Sequence, residues 1–203
     1  MLKTLLIIPL LVAAHLAAAQ TAEEYFGMAQ EAEKRFQFDE AIGYYEQAAG
    51  LWGGQGHLFY QGLLYLTIGK LHHALGRLDT AGDAFNRALA LSQELDDAEF
   101  TLACLHNLGE VHKDLGAFDK ALDFYDRAVP VAEELGSSDK ITAILNNQAE
   151  IHRLIGKYEQ ALHVYGTALE IAAGSGNAEV TADVLSNMGA VHQSMRSYRE
   201  AVR

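Results

Sequence analysis

The chain has 203 residues, half of them apolar and 21% charged, a balance that excludes a disordered polymer and allows a packed core. Its formal net charge of −12, with no run rich in lysine or arginine, argues against a nucleic-acid partner. A single cysteine, Cys104, excludes an internal disulfide, so stability has to come from packing.

In chain order, residues 1–19 come first. Lys3 gives a positive start, LLIIPLLVAA a short apolar run, and Ala17-Ala18-Ala19 the small-residue pattern of a cleavage site. These features predict a signal peptide cut before Gln20 and export to the periplasm or the exterior. The run is shorter than the roughly 20 apolar residues of a membrane helix. No membrane span is therefore expected once the leader is removed. The cleavage site carries no cysteine, which argues against a lipid anchor.

From residue 20 onward the chain repeats itself every 40 positions. Alanine recurs at Ala41, Ala81, Ala121, Ala161 and Ala201, and an aromatic ring four residues later at Tyr45, Phe85, Tyr125 and Tyr165. A small residue recurs upstream, at Ala29, Gly69, Gly109, Ala149 and Gly189. The units run at about 20–56, 57–96, 97–136, 137–176 and an incomplete 177–203. Within the third, Leu105, Leu108, Gly109 and His112 keep helical spacing, and so do Phe118, Ala121, Leu122 and Tyr125. Each unit therefore reads as two helices joined by a short turn. Gly76, Gly116 and Gly156 suit the left-handed residue that ends a first helix. Phe36 and Arg196 replace that glycine, so less regular turns are expected there, and GGQG at 53–56 reads as a linker. One such pair cannot bury both its faces. Units have to stack, with small residues where helices approach and the aromatic ring filling the wedge between them.

The stretch NLGEVHKDLGAFDKALDFYDRAV at 107–129, with weaker copies around Gly69, Ala149 and Gly189, resembles the tetratricopeptide repeat in its 40-residue, kinesin-light-chain-like version. The resemblance covers residues 22–203 and implies an all-α, right-handed superhelical solenoid of antiparallel helix pairs. One departure is a column of histidines, His72, His112, His152 and His192, where the family usually has tyrosine. Stacked helices lie about 8–10 Å apart, whereas zinc needs each ligand nitrogen within about 2.1 Å. The column therefore reads as core histidine, one ring nitrogen hydrogen-bonded, and neither metal nor cofactor is expected. Cys104 reads as a small, half-buried apolar residue.

No catalytic constellation is present: HExxH and G-x-S-x-G do not occur, and GLLYLTIGK at 62–70 lacks phosphate-loop spacing. The chain reads as a non-enzyme. Asn107, Asn147 and Asn187 recur on the first helices, pointing away from the core stripe. The resemblance implies that this face lines a concave groove, in which these asparagines hold the backbone of a bound peptide or protein segment. His106, Glu110, Lys113, Asn146, Glu150 and Arg153 lie nearby and are expected to set its charge preference. In the fifth unit the second helix is cut short, and an uncovered stripe of Leu185, Met188 and Val191 is expected. That implies either a longer protein or pairing with another chain. Two functions follow: an exported binding scaffold, or, as the resemblance allows, the amino-terminal sensing module of a larger histidine kinase or caspase-like peptidase.

Overall fold

An apolar stripe of helical period gains only when a second stripe covers it, and short turns bring the next stripe in the chain back onto the last. The computed structural model describes residues 21–201, with side chains to residue 196, as nine helices. They are α1 Ala22–Lys34, α2 Phe38–Gly54, α3 Leu58–Ala74, α4 Leu78–Glu94, α5 Ala98–Asp114, α6 Phe118–Glu134, α7 Ser138–Leu154, α8 Tyr158–Ser175 and α9 Ala178–Ala201. The expected leader at 1–19 lies outside the described residues. Each helix packs on the one before and the one after, and first helices of successive units also touch, α3 with α5 and α7 with α9. The result is an all-α, right-handed solenoid whose buried clusters follow one another along the stack.

The turns obey a finer rule than the repeat. Phe36, Gly56, Gly76, Asp96, Gly116, Gly136, Gly156 and Gly176 all have positive φ, between 53° and 78°, and they fall every 20 residues. Turns within units and between units are therefore alike. At Gly116 the amide donates to the Lys113 carbonyl (3.0 Å) and the Ala117 amide to that of His112 (2.9 Å), which satisfies the carbonyls left open at the end of α5.

This geometry corrects three expectations. The turn at Phe36 is as regular as the others, with Phe36 and Gln37 amides donating to Glu33 and Ala32 at 2.9 Å. The left-handed strain of a non-glycine residue, about 1–2 kcal/mol, is carried there by a side chain 79% exposed while α2 packs back on α1. At Arg196 there is no turn at all, and α9 runs on to Ala201. No second helix of comparable length follows among the described residues to offset such strain. GGQG is not a linker either: Gly53 and Gly54 close α2, and only the next three residues cross to α3. Gly53 is small because Gln61 of α3 crosses it, where an added Cβ would meet the Gln61 side chain at 2.3 Å.

The small positions do what stacking requires. A Cβ on Gly109 would lie 2.4 Å from the Tyr125 ring, and one on Gly69 would lie 2.5 Å from Phe85. Tyr125, Phe85, Ala121, Ala128, Ala161 and Ala168 are wholly buried. Close approach of the helix pair and filling of the wedge are thus one device, a missing side chain opposite a ring.

Candidate functional site

Because first helices alternate with second helices in a stack, α3, α5, α7 and α9 share one face of the molecule. Asn107, Asn147 and Asn187 lie on it at corresponding positions, all half-buried. Between α5 and α7 that face opens into a cleft of about 280 Å³. Its floor and walls are Leu102, Ala103, Ala143 and Ile144; Glu99 and Lys140 stand at one rim, His106 and Asn107 at another. The cleft is lined by these two first helices alone, so it faces away from α6 and α8.

The polar residues beside it form a connected network. Asn147 Nδ2 reaches His106 Nε2 across the two helices at 3.2 Å, and Lys113 Nζ donates to Asn147 Oδ1 at 3.4 Å. Lys113 also donates to both oxygens of Glu110 at 3.0 Å, and the Tyr125 hydroxyl donates to Glu110 Oε1 at 2.6 Å. In this arrangement His106 Nε2 is the acceptor, which requires a neutral ring. Burial lowers the His106 pKa, with Lys113 and Lys70 acting in the same direction against Glu110. Burial works to raise the Glu110 carboxyl, and the bonds from Tyr125 and Lys113 more than offset it, leaving it below its ordinary value. Burial first, and Glu110 second, push the Tyr125 hydroxyl up, so it remains a donor.

One turn pattern recurs in the next unit. Arg153 donates to Glu150 through Nε at 2.7 Å and through its terminal nitrogen at 2.6 Å. Tyr165 sits buried beside them, its hydroxyl raised to about 12 by burial with Glu150 adding. In the first unit the Tyr45 hydroxyl donates to Glu33 at 2.8 Å. The wedge tyrosine thus does two jobs, filling the core with its ring and anchoring a first-helix carboxylate with its hydroxyl.

The expected site residues therefore divide. His106, Glu110, Lys113 and Asn147 are joined to one another, with Asn107 one turn away on the cleft rim. Asn107 Nδ2 is held by the Ala103 carbonyl of its own helix at 2.7 Å. Glu150 and Arg153 form a second cluster, Asn146 has a buried Oδ1 with no hydrogen-bond partner among the described residues, and Asn187 stands apart on α9. Of the six residues expected to set a ligand's charge preference, the two carboxylates, Glu110 and Glu150, are each paired with a cation three residues along their own helix. An i, i+3 pair forms more readily than either charge stays bare.

Sequence reasoning missed the cleft. Its signal was the column Leu63, Ala103, Ala143 and Asp183, in which only the third and fourth units carry alanine. Two facing alanines leave the α5–α7 recess small and aliphatic, whereas Leu63 lines a wider recess with Phe26, Trp52 and Tyr60 between α1 and α3.

The histidines need correcting as well. His72, His112 and His152 are half-buried, but the buried Nδ1 of each has no hydrogen-bond partner among the described residues. His112 is placed by stacking, its ring 5.2 Å from Phe124 and nearly parallel at 7°, with the Arg127 guanidinium 5.2 Å over Phe124. His192 is exposed, because no second helix lies over it among the described residues. Cys104 is fully rather than half-buried, and burial pushes its thiol up to about 12. It is packed as an apolar residue. Among the described residues no group of three or more His, Cys, Asp or Glu is arranged to hold a metal ion, and no helix is long and apolar enough to cross a membrane.

Comparison with known proteins gives the same architecture. The apo form of RapI superposes with a TM-score of 0.79 at 16% identity, covering 96% of this chain and 55% of RapI. A Podosopora anserina putative kinesin light chain of nearly identical TPR-like repeats gives 0.70 at 15% identity, covering 88% and 89%. A Rap protein complexed with Competence and Sporulation Factor gives 0.64 at 16% identity, covering 89% and 51%. The chain thus spans about half the length of the Rap proteins it matches. At these identities the likeness is one of fold. No curated protein matches the chain by sequence. The sequence profile of the tetratricopeptide repeat matches residues 60–134 and 140–203, more than half of the chain and most of its helix pairs, and on that ground the chain belongs to the tetratricopeptide-repeat family.

Proposed function

We propose that the array is an exported, non-catalytic scaffold that holds a segment of another protein along the concave face formed by its first helices. The observation that carries this reading is the cleft between α5 and α7, where His106 and Asn107 stand at the rim of an apolar recess. A solenoid face with side-chain amides beside an apolar recess suits an extended segment, whose backbone needs hydrogen bonds and whose side chains need burial. Asn107 and Asn147 spend their amides on intramolecular bonds in the free protein, and a ligand's backbone would exchange with these. The Rap protein complexed with Competence and Sporulation Factor shows that a related fold takes a partner.

The test is the triple variant Asn107→Ala, Asn147→Ala, Asn187→Ala against a partner captured with the parent protein. A loss of tenfold or more is expected, with an unchanged melting temperature. Undiminished affinity would rule the groove out. Export is tested separately, by cell fractionation and amino-terminal sequencing, with Gln20 the expected first residue.

A second reading makes the array the sensing module of a longer histidine kinase or caspase-like peptidase. The Rap chains favour it in that a similar array there occupies 55% and 51% of a longer polypeptide. Sequencing the gene past the Arg203 codon decides between the two.

A further inference from the structure

Resting on the groove reading above, we infer that the α5–α7 cleft is a specificity pocket of this face and takes one aliphatic side chain from a segment that carries lysine or arginine beside it.

The first argument is shape. The column Leu63, Ala103, Ala143, Asp183 occupies corresponding positions on α3, α5, α7 and α9. On α3 the leucine lines a second recess, of about 470 Å³, with Glu23 and Phe26 of α1 and the aromatic rings of Trp52 and Tyr60, and aspartate makes the position polar on α9. Only between α5 and α7 do two alanines face one another, and there the recess of about 280 Å³ appears. Leu102 and Ile144, both almost fully buried, form its apolar floor. An apolar recess open to water on one side gains from burying a branched aliphatic group and loses from burying a hydroxyl or a charge.

The second argument is charge. The carboxylates of Glu110 and Glu150 are neutralised within their own helices, and Glu99 faces Lys140 at 3.5 Å across the cleft rim. On α9, the next first helix along, Glu179 and Asp183 are exposed and make no ion pair among the described residues. They correspond to Asp139 and Ala143 on α7 and sit one helix away from the recess. A segment whose aliphatic side chain enters the cleft brings its neighbouring residues over this negative surface, on a chain of net charge −12. Cations there are drawn in, and carboxylates repelled.

The experiment uses three acetylated, amidated nonapeptides: a leucine flanked by lysines, a serine flanked by lysines, and a leucine flanked by glutamates. Each is titrated into the isolated protein, following the methyl signals of Ala103, Ala143 and Ile144 and the side-chain amides of Asn107 and Asn147 by NMR. The lysine-flanked leucine peptide is expected to move both sets, with affinity falling tenfold or more for each of the other two. Ala143→Leu, which copies Leu63 at an exposed position, is expected to weaken that peptide tenfold while the melting curve stays put. If the asparagine amides move and the alanine methyls do not, the pocket is overturned and the groove reading stands. If nothing on the first-helix face moves with any peptide, both fall. Preference for glutamate flanks, equal binding of the serine peptide, or methyl shifts that follow protein concentration alone, as for a second copy seated there, would each overturn the inference.

Discussion

Compare the third unit with the fifth, where the same sequence pattern meets two different fates. Leu105 is 2% exposed, and its counterpart Leu185 is 52% exposed. Gly109 lies under the Tyr125 ring, whereas a Cβ on Gly189 would meet nothing within 4 Å. His112 stacks on Phe124, whereas His192 is exposed. The stripe on α5 is core because α6 covers it. The stripe on α9 is covered on one side only: Val184 and Val191 are fully buried and Met188 packs partly against the preceding unit. The expectation of a bare Leu185, Met188 and Val191 thus holds for Leu185 alone. Helical period marks what can be buried, and a neighbour decides what is.

The comparison is broken most severely by removing the wedge. Tyr125→Ala empties a fully buried ring site and removes one of the two donors to Glu110, leaving Lys113, so a loss of about 3–5 kcal/mol is expected. Leu185→Ala on the uncovered stripe should stay within about 0.5 kcal/mol of the parent. Thermal melting of the two variants side by side gives the answer, and equal losses would mean that α9 is covered in solution. Next in size is Ala161→Leu at a wholly buried contact of α8, where overpacking should cost about 1–3 kcal/mol. A melt like the parent's would contradict the stacking of helix pairs described above.

A smaller effect should reverse its sign between the two units. In a helix interior, alanine is worth about 0.5–1 kcal/mol over glycine. Gly189→Ala meets open space and should gain roughly that amount. Gly109→Ala drives a methyl to 2.4 Å from the Tyr125 ring, and displacing a packed ring should turn the gain into a net loss on the order of 1 kcal/mol. Ala149 facing Tyr165 in the fourth unit shows that the ring can be accommodated, which is why the loss stays small.

The fold was legible in the sequence because its causes are local and recur: a missing side chain at Gly109, a ring at Tyr125, an alanine at Ala121, all 40 residues from their copies. The left-handed position at Phe36 was not legible, because a bulky side chain disfavours that conformation and packing of the following helix enforces it, whereas Asp96 belongs to the few non-glycine residue types that tolerate it. Of the site, the placement of His106, Asn107 and Asn147 on a shared face could be read from spacing. The recess between them could not, since it depends on how α5 and α7 pack around Ala103 and Ala143. Nor could the pairing of Glu110 with Lys113 and Tyr125, which needs the distance between α5 and α6.

The least of these effects concerns pH, and its sign can be worked out from the covered histidines. Burial lowers the pKa of His112, with Lys120 adding, and that of His152, with Lys157 adding against Asp126. The unfolded chain therefore takes up these protons first, near the ordinary value of about 6.5. Stability contributed by the neutral rings is complete above that pH and is lost as the pH falls from there through the lower folded values. Because the rings are only half-buried, the loss should be modest. Melting temperature should drop between pH 7.5 and 5.5 in the parent, and drop less in His112→Phe, His152→Phe, which keeps the stacking surface without the titrating nitrogen. The carboxylates held down by hydrogen bonds, such as Glu31 beside Lys34, lose their contribution only at more acid pH and do not confuse the window. An equal drop in parent and variant would place the pH sensitivity elsewhere, with His106, whose neutral ring ties α5 to α7 through Asn147, the next group to replace.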